Sequence, residues 1–364
     1  MNIHQITSLL EQWSPIAYAE DFDNVGLLVG KHAWACSGVL VTHDVTEAVV
    51  QEAIDKQLNL IICFHPILFQ PLKKITGKNY VERVVMKAIE NRIGIYAVHT
   101  ALDNHRHGVS YQLGALLGLQ QQRILIPQKN ALLQLTTYVP IDAKDRVLGA
   151  LHEAGAGQLG EYTQCGFSTE GIGQFKGSAQ SNPTIGQPES LSEVPETCLT
   201  VVVPKHTQKK VLQALFSSHP YESPAYALVE LLNDHPDVGM GSIGELEQPM
   251  PIEAFLAWIQ QQLHIPHLRH SAPKGTMIQK VAVLGGSGSF CIGPAMAQGA
   301  DALVTADLKY HDFFKADKNL LLVDAGHYET EHFTKKIIHD YLTKKIPNFA
   351  ITLSAVQTNP VKYF

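Results

Sequence analysis

Histidine and carboxylate side chains recur directly after apolar runs of strand length. His65 follows LNLIICF, His99 and Asp103 follow IGIYAV, and His327 and Glu331 follow LLLVDAG. Imidazole and carboxylate together are ligands that zinc, iron(II) and manganese accept. The residue types therefore predict a site for a divalent metal. The predicted ligands are His65, Asp103, His327 and Glu331.

The spacing of these residues allows them to share one point. In an open α/β sheet, sites form outside the carboxyl ends of the strands. His327 and Glu331 are four residues apart at the start of a helical stretch, so both can face one point, which Asp103 can reach from a neighbouring loop. A single histidine after a strand is more often hydrogen-bonded or solvated than a metal ligand. The metal site is predicted because several such residues converge on one point.

Two further strand ends carry the same residue types. Asp307 and His311 follow DALVT, and His43 and Asp44 follow GVLVT. Imidazole titrates near neutral pH and can therefore move protons during hydrolysis. The candidate catalytic residues are His99 and His311.

The elements that position these residues alternate along the chain. Apolar runs that read as buried parallel strands are separated by amphipathic stretches such as TEAVVQEAIDKQL and YVERVVMKAIENR. This alternation predicts βαβ units and an α/β fold. The runs cover 38–44, 58–66, 93–100, 280–289, 300–312 and 319–331.

The middle of the chain contains an internal repeat. Residues 137–151 and 201–215 align without gaps, and each reads as a strand, a proline and an amphipathic helix. A strand candidate follows each copy, at 158–167 and at 226–232, and 178–195 reads as a loop. Two such halves predict a ferredoxin-like sandwich. The alternative is chance similarity between two amphipathic helices.

We therefore expect a discontinuous, two-lobed α/β core with an inserted α+β module. The expected core halves are 1–128 and 249–364, and the expected module is 129–248.

Composition excludes several classes of protein. The chain has 28 basic and 34 acidic residues among 364 and no cluster of Lys and Arg, which argues against nucleic acid as a partner. No apolar stretch is long enough to span a membrane, and the amino terminus does not read as a signal peptide. The five cysteines are scattered and odd in number, which favours a reducing, cytoplasmic location.

Two loops have open interpretations. LGGSGS at 284–289 follows a strand, and it is either an anion-binding loop or a tight structural turn. HPYESPAY at 219–226 reads as a turn before a strand, with a binding role as the alternative.

Several motifs together resemble one family, the GTP cyclohydrolase 1 type 2 homologues, also described as dinuclear-metal-centre hexameric proteins. The matching segments fall in order along the chain and are DNVGLLVG, FHPILF, YAVHTALDN, LGGSGS, VTADLKYHDF and DAGHYETE. The resemblance covers essentially the whole chain. The middle module, with HPYESPAYAL, resembles the PII-like or CutA-like insertion of longer members.

The resemblance implies two divalent metals in one pocket. Carried over by motif, His65 and His327 would bind one metal, Asp103 would bind the other, and Glu331 would bridge them. The family usually has two adjacent histidines before the proline, and here the first is Phe64. This departure predicts one well-occupied metal site and a weaker or hydrated second one. The alternative is that a nearby ligand such as His43, His99 or a water compensates for Phe64. Ala306, where glycine is common in the family, is expected to be neutral.

The resemblance also implies a homohexameric toroid whose metal sites face an internal cavity. We expect a metal-dependent hydrolase acting on a nucleotide or related small molecule, because a bound divalent ion lowers the pKa of water from 15.7 to about 7. The alternative is a non-catalytic hexameric scaffold or regulatory protein that binds an effector or partner through its PII-like module.

Overall fold

The computed structural model describes residues 1–272 and 275–362. The chain forms two compact units. One combines Met1–Ile126 with Val238–Phe364, and the other is Pro127–Asp237.

Strands contribute more of the buried apolar residues than helices do. In chain order they are β1 Gly26–Val29, β2 Val39–Thr42, β3 Leu60–Cys63, β4 Gly94–Ala97, β5 Gln120–Pro127, β6 Leu132–Pro140, β7 Phe167–Lys176, β8 Leu191–Pro204, β9 Tyr226–Leu231, β10 Gly239–Pro251, β11 Arg269–His270, β12 Met277–Ser287, β13 Ala302–Ala306, β14 Leu321–Asp324 and β15 Ile351–Leu353.

Helices connect most of these strands. In chain order they are α1 Ile3–Trp13, α2 Glu47–Asp55, α3 Tyr80–Glu90, α4 His99–Asp103, α5 Val109–Leu116, α6 Lys144–Glu153, α7 Gln208–Ser218, α8 Ile252–Leu263, α9 Ile292–Ala297, α10 Asp312–Lys315, α11 His327–Glu331 and α12 Thr334–Lys345. No helix in the described part of the chain is long and apolar enough to cross a membrane.

The first core sheet has the strand order β1-β4-β3-β2-β15. Strands β15, β2, β3 and β4 are parallel neighbours, and β1 is antiparallel to β4. Every residue of β2, β3 and β4 is buried, as their uninterrupted apolar sequences predict. Thr42 pairs with Cys63 and Cys63 with Ala97, so the carboxyl ends of these three strands lie at one level.

The second core sheet has the order β11-β14-β13-β12-β10-β5. Its central strands β12, β13 and β14 are parallel, and β10 is antiparallel to β12. Strand β5 comes from the amino-terminal half of the chain, whereas β15 crosses back to the first sheet. The α/β core is confirmed, and each of its sheets needs a strand from the other half.

The unit Pro127–Asp237 has the element order β-α-β-β-α-β and the sheet order β7-β8-β6-β9, with antiparallel neighbours throughout. This is the ferredoxin-like arrangement that the internal repeat predicts. Equivalent residues of the two repeats are buried together in one core. The pairs are Val139 with Val203, Val147 with Val211, and Leu151 with Leu215.

Three expected boundaries differ from the structure. The predicted end of the module at 248 lies inside β10, which pairs with β12 of the core. The strand expected at 158–167 is a turn, and β7 begins at Phe167. The expected loop 178–195 ends earlier because β8 starts at Leu191, which pairs with Lys176. Strand β7 is mostly exposed on both faces, so its sequence lacks the apolar alternation that marks a strand.

The repeat predicts that its two central leucines contribute similarly to stability. Leu151→Ala and Leu215→Ala each remove a fully buried side chain. We expect each to lower the opening free energy of the 199–215 segment by about 2–5 kcal/mol, measured by hydrogen–deuterium exchange. Leu232→Ala, at a side chain that is 89% exposed, is the matched control and should change it by less than about 0.5 kcal/mol. A large loss in only one repeat would contradict the shared core.

Candidate metal centre

The carboxyl ends of the two core sheets place several histidines and carboxylates together. His65 follows β3, and α11 begins at His327 and ends at Glu331, directly after β14. The ligand atoms of these three side chains all lie within 4.8 Å of one another. The structure thus brings together the three residues that the sequence assigns to one metal.

The oxygen Oε2 of Glu331 lies at the middle of this cluster. It is 3.1 Å from His327 Nε2 and 3.3 Å from His65 Nε2, and the two nitrogens are 3.4 Å apart. Neither contact is aligned as a hydrogen bond, and Oε2 accepts none from the described residues although it is buried. A buried carboxylate oxygen that lacks hydrogen bonds must be stabilised by nearby positive charge, from an imidazolium or from a metal ion.

Carboxylates outside the cluster fix the orientation of both imidazoles. His65 Nδ1 donates to Asp44 Oδ1 at 2.8 Å, and His327 Nδ1 donates to Asp307 Oδ2 at 2.7 Å. Burial acts to raise the pKa of both carboxyls, but the hydrogen bonds that they accept lower it. In each ring Nδ1 thus faces its carboxylate, and Nε2 faces the cluster. Metal-binding histidines are held in this way.

The charges of His65, His327 and Glu331 alter one another's pKa values. Burial works to lower the pKa of His65, but its hydrogen bond to Asp44 and the charge of Glu331 raise it to about 10. Burial opposes the rise at His327 too, where contact with Glu331 and the hydrogen bond to Asp307 raise the pKa to about 9. Both imidazoles hold the pKa of Glu331 well below its usual range despite burial. Glu331 is therefore an anion that is neutralised by its neighbours.

Asp103 lies at the carboxyl end of α4, after β4. Burial and then the negative charge of Glu331 raise the pKa of its carboxyl well above the ordinary value. The negative charge of Glu331 therefore repels a charge on Asp103, which lies outside the group of ligand atoms formed by His65, His327 and Glu331. A cation between them would remove this repulsion, which fits the predicted role of Asp103 as a ligand.

The two candidate proton carriers lie in different surroundings. The His99 ring centroid is 5.2 Å from that of His65, and His99 Nδ1 donates to Asp23 Oδ1 at 2.8 Å. His311 is exposed, and within the described residues its ring contacts are with Tyr310 and Phe314. The structure therefore places His99, and not His311, beside the cluster.

Asp23 was not among the predicted site residues. It also accepts hydrogen bonds from the backbone and hydroxyl of Thr100, and so fixes the start of α4. Asp23 is the first residue of the DNVGLLVG motif, and this motif was the feature of the sequence that could have identified it as a site residue. The roles of Asp44 and Asp307 were also missed, because hydrogen bonding between loops is not visible in a linear sequence.

The LGGSGS segment was expected to follow a strand, but residues 284–287 form the carboxyl end of β12, and this strand end lies directly against the cluster. Gly286 has φ +68°, and a Cβ at this position would lie 2.2 Å from Glu331 Oε1 and 3.2 Å from His327 Nε2. Its backbone N–H donates to Thr330 Oγ1 at 3.0 Å. Gly286 therefore has a structural role, because only a residue without a Cβ lets the end of β12 lie this close to α11.

The fold and the cluster define an α/β protein with a histidine–carboxylate centre at the ends of two sheets. The family model described as Duf34/NIF3 (NGG1p interacting factor 3) matches residues 1–360, and the chain belongs to this family.

Named relatives and solved structures agree with this assignment. The GTP cyclohydrolase 1 type 2 homologs of Bacillus subtilis and Halalkalibacterium halodurans are 37% and 36% identical to the chain, covering 100% of it and 99% of each relative. The crystal structure of a Bacillus cereus protein related to NIF3 has a TM-score of 0.87 and 34% identity, over 100% of this chain and 99% of that one. A Staphylococcus aureus protein matches with a TM-score of 0.79 and 29% identity, over 100% of this chain and 99% of its own.

The close approach of Gly286 to Glu331 predicts a local packing defect in Gly286→Ala. We expect this change to lower the free energy of unfolding by at least about 1–2 kcal/mol, because alanine at positive φ is strained and its Cβ would clash with Glu331. Urea denaturation followed by circular dichroism measures the loss. In Gly293→Ala the new Cβ meets nothing within 4 Å, so this control should be unchanged or slightly stabilised. Equal stability of both variants would show that the end of β12 tolerates a side chain.

Proposed function

We propose that this protein binds a divalent metal ion through His65, His327 and Glu331 and uses it to hydrolyse a nucleotide or related small molecule. The observation that carries the proposal is the buried Oε2 of Glu331, which accepts no hydrogen bond from the described residues and lies between two imidazole Nε2 atoms.

The distances within the cluster support a shared ion. Ligand atoms bound tetrahedrally at about 2.1 Å from one metal are about 3.4 Å apart. The separations among His65, His327 and Glu331 range from 3.1 to 3.4 Å. Two imidazoles and one carboxylate suit zinc, iron(II) or manganese. A site with three protein ligands leaves positions for water and substrate, as catalytic metal sites do.

The chain's own residues would orient and carry protons in the reaction. When bound, a divalent ion supplies Lewis acidity and lowers the pKa of water. Asp23 accepts from His99 Nδ1, so His99 Nε2 carries the lone pair and can take a proton near the cluster. Asp44 and Asp307 keep the ligand histidines in one orientation. We assign no such role to His311, which is exposed and whose ring contacts within the described residues are with Tyr310 and Phe314.

A cavity beside His99 supports a nucleotide as the substrate. It has a volume of about 680 Å³, and its lining includes Phe22, Asp23 and Phe69. The rings of Phe22 and Phe69 are partly exposed and 6.4 Å apart, and Phe69 is 6.3 Å from His99. Exposed aromatic rings are surfaces on which nucleobases stack. The name of the Bacillus subtilis relative, GTP cyclohydrolase 1 type 2 homolog, makes GTP the first compound to test.

Metal content gives the most direct test. We expect freshly purified protein to contain divalent metal by elemental analysis, and His327→Ala to lose most of it because one of three ligands is removed. His32→Ala removes an exposed histidine whose ring contacts His4, and it should keep the wild-type content. Absence of metal from the wild type, both as purified and after incubation with zinc, iron(II) or manganese, would overturn the proposed function.

Turnover separates a hydrolase from a simple metal-binding protein. Metal-loaded wild type should convert GTP, or a related nucleotide, to a product that is resolved by chromatography. Glu331→Gln should lower kcat by at least about a hundredfold, because the amide cannot neutralise the ion. Equal rates for the two proteins would show that any observed turnover does not depend on Glu331.

Removing the aromatic surface tests the substrate class. Phe69→Ala should raise KM for a nucleotide about tenfold with little change in kcat, because base stacking is worth about 1–3 kcal/mol. Phe314→Ala, at an exposed ring outside this cavity, should leave KM unchanged. A Phe69→Ala variant with an unaltered KM would argue against a base stacked at this surface.

A second function is favoured by a cavity in the inserted unit. About 490 Å³ in volume, it is lined by residues that include Phe175, Glu196 and Tyr221, and Tyr221 Oη donates to Glu196 Oε1 at 2.7 Å. In this alternative the protein is a non-catalytic hexameric regulator whose PII-like unit binds an effector there. It predicts no turnover, and a mass near six chains of 40.0 kDa that changes when metal is removed, measured by light scattering.

A further inference from the structure

His43 is a buried histidine that directly follows β2. It is 2% exposed, and neither Nδ1 nor Nε2 forms a hydrogen bond with the described residues. A buried imidazole ordinarily satisfies at least one of its nitrogens. His43 Nε2 is directed at the metal centre, 3.6 Å from Glu331 Oε2.

We propose that His43 Nε2 is a ligand of a second divalent ion, which is held with Asp103 and shares Glu331 with the ion bound by His65 and His327. This inference rests on the proposed function, because it requires that the first ion binds.

The backbone brings His43 to the centre from the strand beside β3. Thr42 of β2 pairs with Cys63 of β3, so the next residues, His43 and Phe64, emerge side by side. The carbonyl of His43 accepts hydrogen bonds from the backbone N–H groups of Phe64 and His65, each at 3.1 Å. The position of His43 is therefore fixed by the sheet and not by a mobile loop.

Aromatic neighbours hold the ring of His43 in one orientation. Phe64 stacks on it with centroids 5.4 Å apart and planes 18° from parallel. Tyr328 packs edge-on at 5.4 Å, and His65 lies at 4.7 Å. Phe64 cannot bind a metal, but it supports an imidazole that can. This is the preorganisation that a ligand requires.

A hydrogen bond to Glu331 does not account for His43. The separation of 3.6 Å is too long for one, but it is close to the distance between two ligands of one ion. Nor does His43 belong to the set formed by His65, His327 and Glu331, whose ligand atoms are all within 4.8 Å of one another. At least one of its separations from that set therefore exceeds 4.8 Å, as expected for a ligand of a second ion that shares Glu331 with the first.

We assign Asp103 as the carboxylate that binds the second ion together with His43 and Glu331. Asp103 ends α4, which follows β4, and the carboxyl ends of β2, β3 and β4 lie at one level. Asp44 is near His43 and His65, but its two oxygens accept hydrogen bonds from His65 and from Thr358 at 2.8 and 2.7 Å. Asp103 is thus the carboxylate available to the second ion. With His43 as a ligand, Phe64 does not limit the centre to one ion.

The number of bound manganese ions and their magnetic coupling test this inference without an activity assay. After equilibration with Mn(II) and removal of excess, wild type should hold about two ions per chain, as two-metal centres do. Its electron paramagnetic resonance signal should be weakened, because the two ions are coupled through Glu331. His43→Phe keeps a ring against Phe64 and should retain about one ion per chain with an uncoupled six-line spectrum, since one ligand set remains.

Two further variants keep the test decisive. Asp103→Asn should lose the same ion without altering His43. It replaces His43→Phe in the test if that variant does not fold. The double variant His43→Phe, Phe64→His moves the imidazole to the neighbouring strand and should regain the second ion. His32→Ala should match the wild type throughout.

The outcomes distinguish the two proposals. No bound manganese, zinc or iron(II) in the wild type overturns the proposed function. One ion per chain in both wild type and His43→Phe overturns this inference and leaves the proposed function standing. Two ions in both proteins also overturn it, because His43 is then not a ligand.

Discussion

The buried carboxylate of Glu331 is the constraint on which this structure depends. An ionised side chain in the interior must be neutralised, and Glu331 Oε2 accepts no hydrogen bond from any described residue. Imidazoles from two sheets supply the balancing charge, His65 from the first and His327 from the second. A divalent ion would occupy the same electrostatic role more strongly, which is why we interpret the cluster as a metal centre.

The architecture of the core keeps this centre assembled. Strand β15 completes the first sheet from the end of the chain, and β5 adds the amino-terminal half to the second sheet. Such exchange ties the two halves together, so the distance between His65 and His327 is set by the whole core. Asp44 and Asp307 then fix each ring from behind, and Gly286 allows β12 to approach Glu331 closely. The centre is therefore supported by residues that bind no metal themselves.

The inserted unit has its own hydrophobic core. Its two repeats bury equivalent residues, such as Leu151 and Leu215, in a single core, which explains why the two segments are similar in sequence. Its cavity, lined in part by Glu196 and Tyr221, belongs to the unit alone. HPYESPAY provides Tyr221 and the turn before β9, so the two interpretations of that segment are compatible.

The sequence by itself determined the α/β class, the ferredoxin-like repeat and the residues that follow each strand. These features are local, because apolar runs, amphipathic periods and the spacing of His327 and Glu331 depend on neighbours along the chain. The strand β7 and the limit of the inserted unit were misjudged, since an exposed hairpin and the pairing of β10 leave little trace in hydrophobicity.

Tertiary structure alone decided which histidines converge. His43, His99 and His311 all follow strands, yet only the folded chain places His43 and His99 at the centre and leaves His311 exposed. Sequence reasoning treated Phe64 as the loss of a ligand, because it could not show that His43 lies stacked beside it on the neighbouring strand. Contacts between strands that are far apart in sequence depend on the order of the strands in the sheet, and the hydrophobic pattern of a single strand does not encode that order.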